Sequence, residues 1–103
     1  MPQPAIFLDR DGVLNVNRPD DVKSWDEFEW IPGSLDAIVE LTKLGYQIII
    51  VTNQQAIGMG KLTLKGLRQI HKHISDEVEQ AGGKITAFYW GVVLDQSSKK
   101  AGS

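Results

Sequence analysis

Residues 5–15 read Ala-Ile-Phe-Leu-Asp-Arg-Asp-Gly-Val-Leu-Asn, an apolar run that stops on two carboxylates, Asp9 and Asp11. A short apolar run bounded by charge and then by glycine is typical of a buried strand, and Gly12 predicts a turn at its end. A chain that leaves the strand at Asp11 can turn that carboxylate back over Asp9. Two like charges in a small space repel, so the pair favours a bound cation or protonation of one acid, and hard oxygen ligands suit Mg²⁺. Two plain turn residues after a strand are the alternative that the motif alone leaves open.

A second strand is predicted one crossover later. Ser34 is the expected N-cap of a helix that Gly45 ends. Residues 46–51 then form a largely apolar strand that we expect to be covered on both faces. The crossover should be right-handed, which brings Asp9 and Thr52 to the same edge of a parallel sheet.

The second half of the chain predicts one more helix and one more strand. Apolar residues recur at steps of three or four over residues 64–81, which indicates a helix that Thr63 caps. Residues 85–94 supply the third strand. Residues 96–103 are small and polar, which is typical of a disordered tail, so the predicted domain spans residues 1–95.

Residues 16–30 are polar with interspersed aromatic rings, and we interpret them as an ordered loop or short hairpin over the predicted site. The aromatic residues of this segment are Trp25, Phe28 and Trp30. We expect these rings to pin the segment to the domain, with a substrate-stacking platform as the alternative. His71 and His73 lie two apart on the long helix and point in different directions, so we expect two exposed histidines rather than a shared metal site.

Composition places the chain among ordinary globular domains. It has 103 residues, of which 42% are apolar and 23% charged, enough for one domain and not for two. There are no cysteines, which excludes disulfides and thiolate zinc sites within the chain. No apolar run approaches the roughly 20 residues that span a bilayer, and no basic cluster indicates nucleic acid as a partner, so we expect a cytoplasmic protein without membrane contact.

Residues 5–15 resemble the first motif of the haloacid dehalogenase (HAD) superfamily of phosphohydrolases, and Thr52-Asn53 resembles the second. With Gln54 and Ile57, they are similar to the branch that contains heptose bisphosphate and histidinol phosphate phosphatases. The resemblance runs from about Pro4 to Trp90. It implies an α/β fold of the HAD-like, Rossmannoid type, with three α/β/α layers around a parallel sheet, here shortened to about three strands.

The same resemblance implies a hydrolase of carbohydrate metabolism that needs Mg²⁺ and acts on a small phosphorylated metabolite, such as a heptose bisphosphate. Asp9 would be the nucleophile that becomes an aspartyl phosphate, and Asp11 the acid and base, with its pKa raised by Asp9 and the phosphate. Asp9 and the Asp11 backbone carbonyl would hold the Mg²⁺. The substrate-binding residues that the resemblance implies are Thr52, Asn53, Gln54, Asn17 and Arg18.

The chain also departs from the family pattern. The later lysine and metal-binding acid of the family have no counterpart here, and neither does the cysteine and histidine zinc loop of the heptose phosphatase branch. Met59 stands where many relatives have an arginine. The resemblance therefore does not extend to the side chain that would recognise a second substrate phosphate. A second hypothesis is therefore a HAD-like fragment that binds phosphate or a partner without turnover. The first strand, central in the family, becomes a sheet edge here, which predicts self-association through that strand.

Overall fold

The computed structural model describes residues 3–19, 22–53, 60 and 62–91. The elements in chain order are β1 (Ala5–Asp9), a short 3₁₀ helix (Trp25–Glu27), α1 (Ser34–Lys43), β2 (Gln47–Asn53), α2 (Leu64–Gln80) and β3 (Ala87–Gly91). Strands and helices alternate from β1 to β3, which is the order expected of an α/β protein with a parallel sheet.

The three strands form one parallel sheet in the order β1-β2-β3. Asp9, the last residue of β1, pairs with Val51, the residue before Thr52 in β2, so the carboxyl ends of these two strands are neighbours. This arrangement confirms the predicted α/β fold class with a parallel sheet of three strands, and the predicted meeting of the two motifs at the carboxyl edge of the sheet. Ligand sites of parallel α/β sheets lie at this edge.

The hydrophobic core lies between the sheet and the two helices. Ile48 and Ile50 of β2 are fully buried, and they share a cluster with Ile38 of α1. The residues of α2 in the same cluster are Leu67, Ile70, Ile74 and Val78. Burying each of these side chains stabilises the fold by about 1.5–3 kcal/mol. Both helices therefore pack on the same face of the sheet.

The opposite face of the sheet is largely open within the described part of the chain. Phe7 is 63% exposed and Tyr89 is 59% exposed, while Ile49 and Val51 between them are half-buried. The prediction that β2 is covered on both faces is therefore wrong for the described residues. Both helices follow sequential strands of one sheet, and such crossovers place successive helices on the same side.

The helix ends agree with the sequence at two positions and differ at one. Gly45 follows α1 with a φ of 95°, and the Thr63 hydroxyl accepts the Gly66 N–H at 3.0 Å, as predicted. Ser34 is not the N-cap of α1, because Gly33 takes that place with a φ of 89°. The Ser34 hydroxyl instead donates to the Val13 carbonyl at 2.6 Å, which ties α1 to the segment after β1.

Some predictions fall partly or wholly outside the described residues. The third strand was predicted over residues 85–94; its described part is Ala87–Gly91, and residues 92–94 lie outside. The predicted domain end at residue 95 and the tail at 96–103 also lie outside. None of the helices in the described ranges is long and apolar enough to cross a bilayer.

We predict that the chain self-associates through β1, which pairs only with β2 among the described residues. Exposed backbone N–H and C=O groups of an apolar edge strand can pair with a second chain. Phe7→Lys adds a charge at an exposed position of this edge and should shift the protein towards monomer in analytical ultracentrifugation at micromolar concentration. Leu44→Lys is the matched control, because Leu44 is 70% exposed and follows α1. A wild-type chain that is monomeric at all concentrations would contradict the prediction.

Candidate functional site

The chain makes a tight turn directly after β1. The Arg10 carbonyl accepts three successive backbone N–H groups, those of residues 13–15, at 2.8 to 3.2 Å. Gly12 has a φ of 88°, a conformation that glycine adopts without steric cost. The predicted turn is therefore confirmed, and it carries Asp11 back over the carboxyl edge of the sheet.

The Asp11 carboxylate is held by three side chains. Its Oδ1 accepts from Arg10 Nη2 at 2.9 Å and from Asn15 Nδ2 at 3.0 Å. Its Oδ2 accepts from the Thr52 hydroxyl at 2.9 Å. Hydrogen bonds that involve an ionised partner are shorter and stronger than neutral ones. The orientation of Asp11 is therefore determined by Arg10 and Asn15 of the segment after β1 and by Thr52 of β2.

A cavity of about 360 Å³ opens at this edge of the sheet. Its lining residues are Asp9, Arg10, Asp11, Asn17, Val51, Thr52 and Asn53. Five of the predicted site residues thus come together around one polar space. Gln54, also predicted to bind substrate, lies outside the described residues, as do Ile57 and Met59.

Arg18 does not line the cavity. Its guanidinium lies 3.5 Å from Glu27 Oε2, at the 3₁₀ helix. The guanidinium of Arg18 is therefore directed towards Glu27, within the same segment of residues 16–30. Contact between Arg18 and a substrate at the cavity would require the side chain to leave Glu27.

The aromatic rings of residues 16–30 pack on each other and on α2, as predicted. Trp25 stacks on Phe28 at 4.8 Å and on His73 at 4.9 Å, and Phe28 meets Trp30 edge-on at 5.1 Å. The Trp30 indole N–H donates to Glu77 at 2.7 Å. None of the three rings lines the cavity. These contacts favour the anchoring role over the stacking platform.

Two site residues escaped the sequence analysis. Arg10 is fully buried, and its Nη1 donates to His71 Nε2 at 3.2 Å. The His71 ring stacks on Phe88 of β3 at 4.2 Å. The expectation that His71 is exposed is wrong, since it is only 6% exposed, whereas His73 is exposed as predicted. His71 follows the buried Leu67 by four positions, and that helical spacing was a signal for its burial.

The pKa of Asp11 lies below its ordinary value, against the prediction of a raised pKa. Burial acts in the raising direction, but the Arg10 charge and the hydrogen bonds from Asn15, Arg10 and Thr52 outweigh it. The prediction rested on Asp9 and a bound phosphate and did not include these donors. Asp11 is therefore an anion over the whole neutral range in this structure.

Burial, with the nearby Arg10 charge, lowers the pKa of His71 from 6.5 to about 4. The negative charge of Asp11 opposes this change without reversing it. A guanidinium can only donate, so His71 Nε2 accepts, which fits a neutral ring. The His71 imidazole is thus uncharged at neutral pH.

The cavity contains oxygen ligands of the kind that a hard cation prefers. Among the described residues, however, there are too few of them to surround an ion. Asp9 is exposed at the end of β1 and offers a carboxylate to the cavity. Oxygen ligands of this kind suit Mg²⁺, which keeps several waters in most protein sites. The described ranges contain no group of three His, Cys, Asp or Glu side chains that could hold a metal. Within the described residues, an ion bound here would therefore have few protein ligands.

We predict that acid destabilises the protein partly through His71. The unfolded residue binds a proton near pH 6.5 and the folded residue only near 4, so the unfolded chain takes up the extra proton between these values. The free energy of unfolding should fall over this interval by up to about 3 kcal/mol, with Asp11 adding a further loss only below its ordinary pKa. Urea denaturation at several pH values measures the slope. His71→Gln should flatten it and His73→Gln should not; equal slopes in both variants would contradict the prediction.

The chain resembles curated relatives over most of its length. The D-glycero-beta-D-manno-heptose-1,7-bisphosphate 7-phosphatase of Neisseria meningitidis is 46% identical over 87 residues, which cover 82% of this chain and 46% of that protein. The D-glycero-alpha-D-manno-heptose-1,7-bisphosphate 7-phosphatase of Mycobacterium tuberculosis is 38% identical over 85 residues, covering 82% and 45%. The chain thus spans about half the length of the curated relatives that it matches. No family model matches the chain.

Solved structures show the same relationship. The D,D-heptose 1,7-bisphosphate phosphatase of B. bronchiseptica, complexed with magnesium and phosphate, superposes with a TM-score of 0.82 at 37% identity, covering 84% of this chain and 49% of that one. The corresponding phosphatase of Burkholderia thailandensis gives 0.66 at 38% identity, covering 84% and 52%. Identity and fold therefore agree over the same large part of the chain.

Proposed function

The chain belongs to the HAD-like heptose bisphosphate phosphatases over 82% of its length, and on that premise we propose that it hydrolyses a phosphomonoester of a sugar in a Mg²⁺-dependent reaction. The proposed substrate is a heptose bisphosphate, the compound named in its relatives. The observation that carries the proposal is the meeting of Asp9, Asp11 and Thr52 at one polar cavity. We place the reaction in the cytoplasm, within carbohydrate metabolism.

Asp9 is the proposed nucleophile. Its carboxylate is exposed at the end of β1 and lines the cavity, so a phosphate can approach it. Attack on phosphorus forms an acyl phosphate while the bond to the sugar oxygen breaks. Water then attacks the acyl phosphate, which releases inorganic phosphate and restores the carboxylate. Such covalent catalysis divides one slow displacement into two easier steps.

Asp11 is the proposed acid and base. It would give a proton to the departing sugar oxygen and then take one from the attacking water. The pKa of Asp11 is lowered without substrate, chiefly because the charge of Arg10 and the surrounding hydrogen bonds outweigh its burial. An anionic phosphate in the cavity would act in the opposite direction, since a like charge nearby favours the protonated carboxyl. Binding of the substrate would therefore supply the protonated form that the first step needs.

The Asp9 carboxylate and the Asp11 backbone carbonyl are the groups proposed to hold Mg²⁺. When bound, the ion would offset the repulsion between an anionic nucleophile and an anionic substrate. The exposed position of Asp9 supports this assignment, and so does the turn that carries the Asp11 backbone over the same edge.

Thr52, Asn53 and Asn17 are the proposed substrate contacts, because all three line the cavity. Thr52 donates its hydroxyl proton to Asp11 here, so donation to a phosphate oxygen requires the hydroxyl to rotate. Gln54 and Arg18 stay candidates by the family resemblance alone. Backbone N–H groups beside Asn53 would add donors that are fixed in advance by the strand.

A chain that binds phosphate or a partner without turnover is the second candidate. The described residues that line the cavity include neither a lysine nor a third carboxylate. Arg10, the cation among them, is fully buried and directed at Asp11 and His71. Phosphate release by the purified chain from heptose 1,7-bisphosphate and a panel of other phosphomonoesters, with and without Mg²⁺, separates the two functions. Phosphate binding without release would select the second.

We predict that Asp9→Asn abolishes phosphate release, because an amide is a poor nucleophile at this position. The loss should exceed about 1,000-fold in kcat, as expected when a group required for every turnover is removed. Asp76→Asn is the control with the same change of charge, because Asp76 forms a surface pair with Lys72 that contributes little. Circular dichroism should show an intact fold in both variants. Undiminished turnover in Asp9→Asn would remove the covalent mechanism.

We also predict weak binding of Mg²⁺ to the purified chain. With two protein ligands the ion gains little over its hydration shell, so the dissociation constant should lie in the millimolar range, about −4 kcal/mol. Isothermal titration calorimetry measures it, and Asp9→Asn should remove the heat while Asp76→Asn retains it. Micromolar affinity would show that a further acid completes the site.

A further inference from the structure

The turn after β1 buries a charge that needs compensation. Arg10 is fully buried, and the structure gives its guanidinium two side-chain partners, Asp11 at 2.9 Å and His71 at 3.2 Å. Arg10 Nε has no hydrogen-bond partner among the described residues. A buried guanidinium is costly unless its charge and its donors are satisfied. These two contacts therefore determine where the guanidinium lies.

His71 is suited to hold one end of Arg10. Its ring is stacked on Phe88 with 4.2 Å between the ring centroids and 8° between the ring planes, which restricts rotation of the imidazole. Nε2 must be bare to accept from Arg10, so the ring proton is on Nδ1. Burial of the ring and the neighbouring positive charge favour this neutral form. His71 of α2, held by Phe88 of β3, thus fixes the position of the Arg10 guanidinium just after β1.

We infer that His71 is a positioning residue, which fixes Arg10 and through it the direction of the Asp11 carboxylate. The inference rests on the proposed function, since it assigns a role in turnover to a residue without contact to the cavity. Asp11 Oδ1 accepts from Arg10 and Asn15, and Oδ2 from Thr52, so each oxygen has a defined direction. Loss of the His71 acceptor would leave a buried N–H of Arg10 unpaired, and the guanidinium would turn to find another partner.

Two amide substitutions test the acceptor separately from the packing. The amide end of Gln reaches the place of His Nε2, whereas that of Asn reaches only the place of Nδ1. Both replacements are neutral, and both remove the ring stack on Phe88. A residue that only fills space would tolerate the two substitutions about equally. A residue that positions Arg10 would tolerate only His71→Gln.

Steady-state kinetics of phosphate release gives the first readout. We expect His71→Asn to lower kcat on the order of 10-fold with KM nearly unchanged, because a misplaced acid affects the reaction and not substrate binding. His71→Gln should recover most of the loss. Gln69→Asn, at an exposed position of the same helix, should match the wild type. Equal losses in the two His71 variants would overturn the inference.

Nuclear magnetic resonance gives a readout that needs no turnover. In the wild-type chain, the imidazole ¹⁵N shifts should show a bare Nε2, and the Arg10 guanidinium protons should exchange slowly with water. His71→Gln should retain the slow exchange and His71→Asn should lose it. A protonated Nε2 in the wild-type chain, or slow exchange in both variants, would overturn the inference. The ¹⁵N shifts of the wild-type ring can be measured even if His71→Asn does not fold, and a protonated Nε2 would still overturn the inference. Absence of phosphatase activity would overturn only the proposed function.

Discussion

The ion pair between the buried Arg10 and the partly buried Asp11 is the contact on which the site depends. A guanidinium without access to water has to be matched by a carboxylate, and removal of one partner of such a pair costs about 3–5 kcal/mol. The pair forms between neighbours in the sequence only because the turn at Gly12 reverses the chain. Asn15 and Thr52 then complete the shell of the carboxylate. The Asp11 carboxylate thereby connects the turn after β1 to β2.

The sheet explains why this contact lies at a cavity. In a parallel sheet the carboxyl ends of neighbouring strands meet, so the residues that follow β1 and β2 face a common space. Both helices cover one face of the sheet and bury Ile48 and Ile50. The other face keeps Phe7 and Tyr89 largely exposed within the described ranges. The site thus lies at the edge of a sheet that is well packed on one face. The other face has apolar surface that the described residues leave exposed.

The relatives support the proposed phosphatase site, and they also limit what can be said of the chain's activity. The 46% identity covers 82% of the chain, and the TM-score of 0.82 covers 84% of it. The match extends over about half of each relative, so for this chain the activity of those proteins is a proposal. The geometry contributes what the likeness does not, namely which groups hold Asp11 and which predicted contacts, such as Arg18, point elsewhere.

Sequence patterns were enough to predict the alternation of strands and helices, the turn at Gly12, the cap at Thr63 and the meeting of Asp9 with Thr52 at one sheet edge. Each of these follows from local periodicity or from the rule that parallel strands end at one edge. The burial of Arg10, the lowered pKa of Asp11 and the open face of the sheet became visible once the elements were packed together. The contact between Arg10 and His71 joins residues 61 positions apart, and the bond from Thr52 to Asp11 joins residues 41 positions apart. Helical spacing indicates that His71 is buried, but local sequence carries no signal for the partner that it meets.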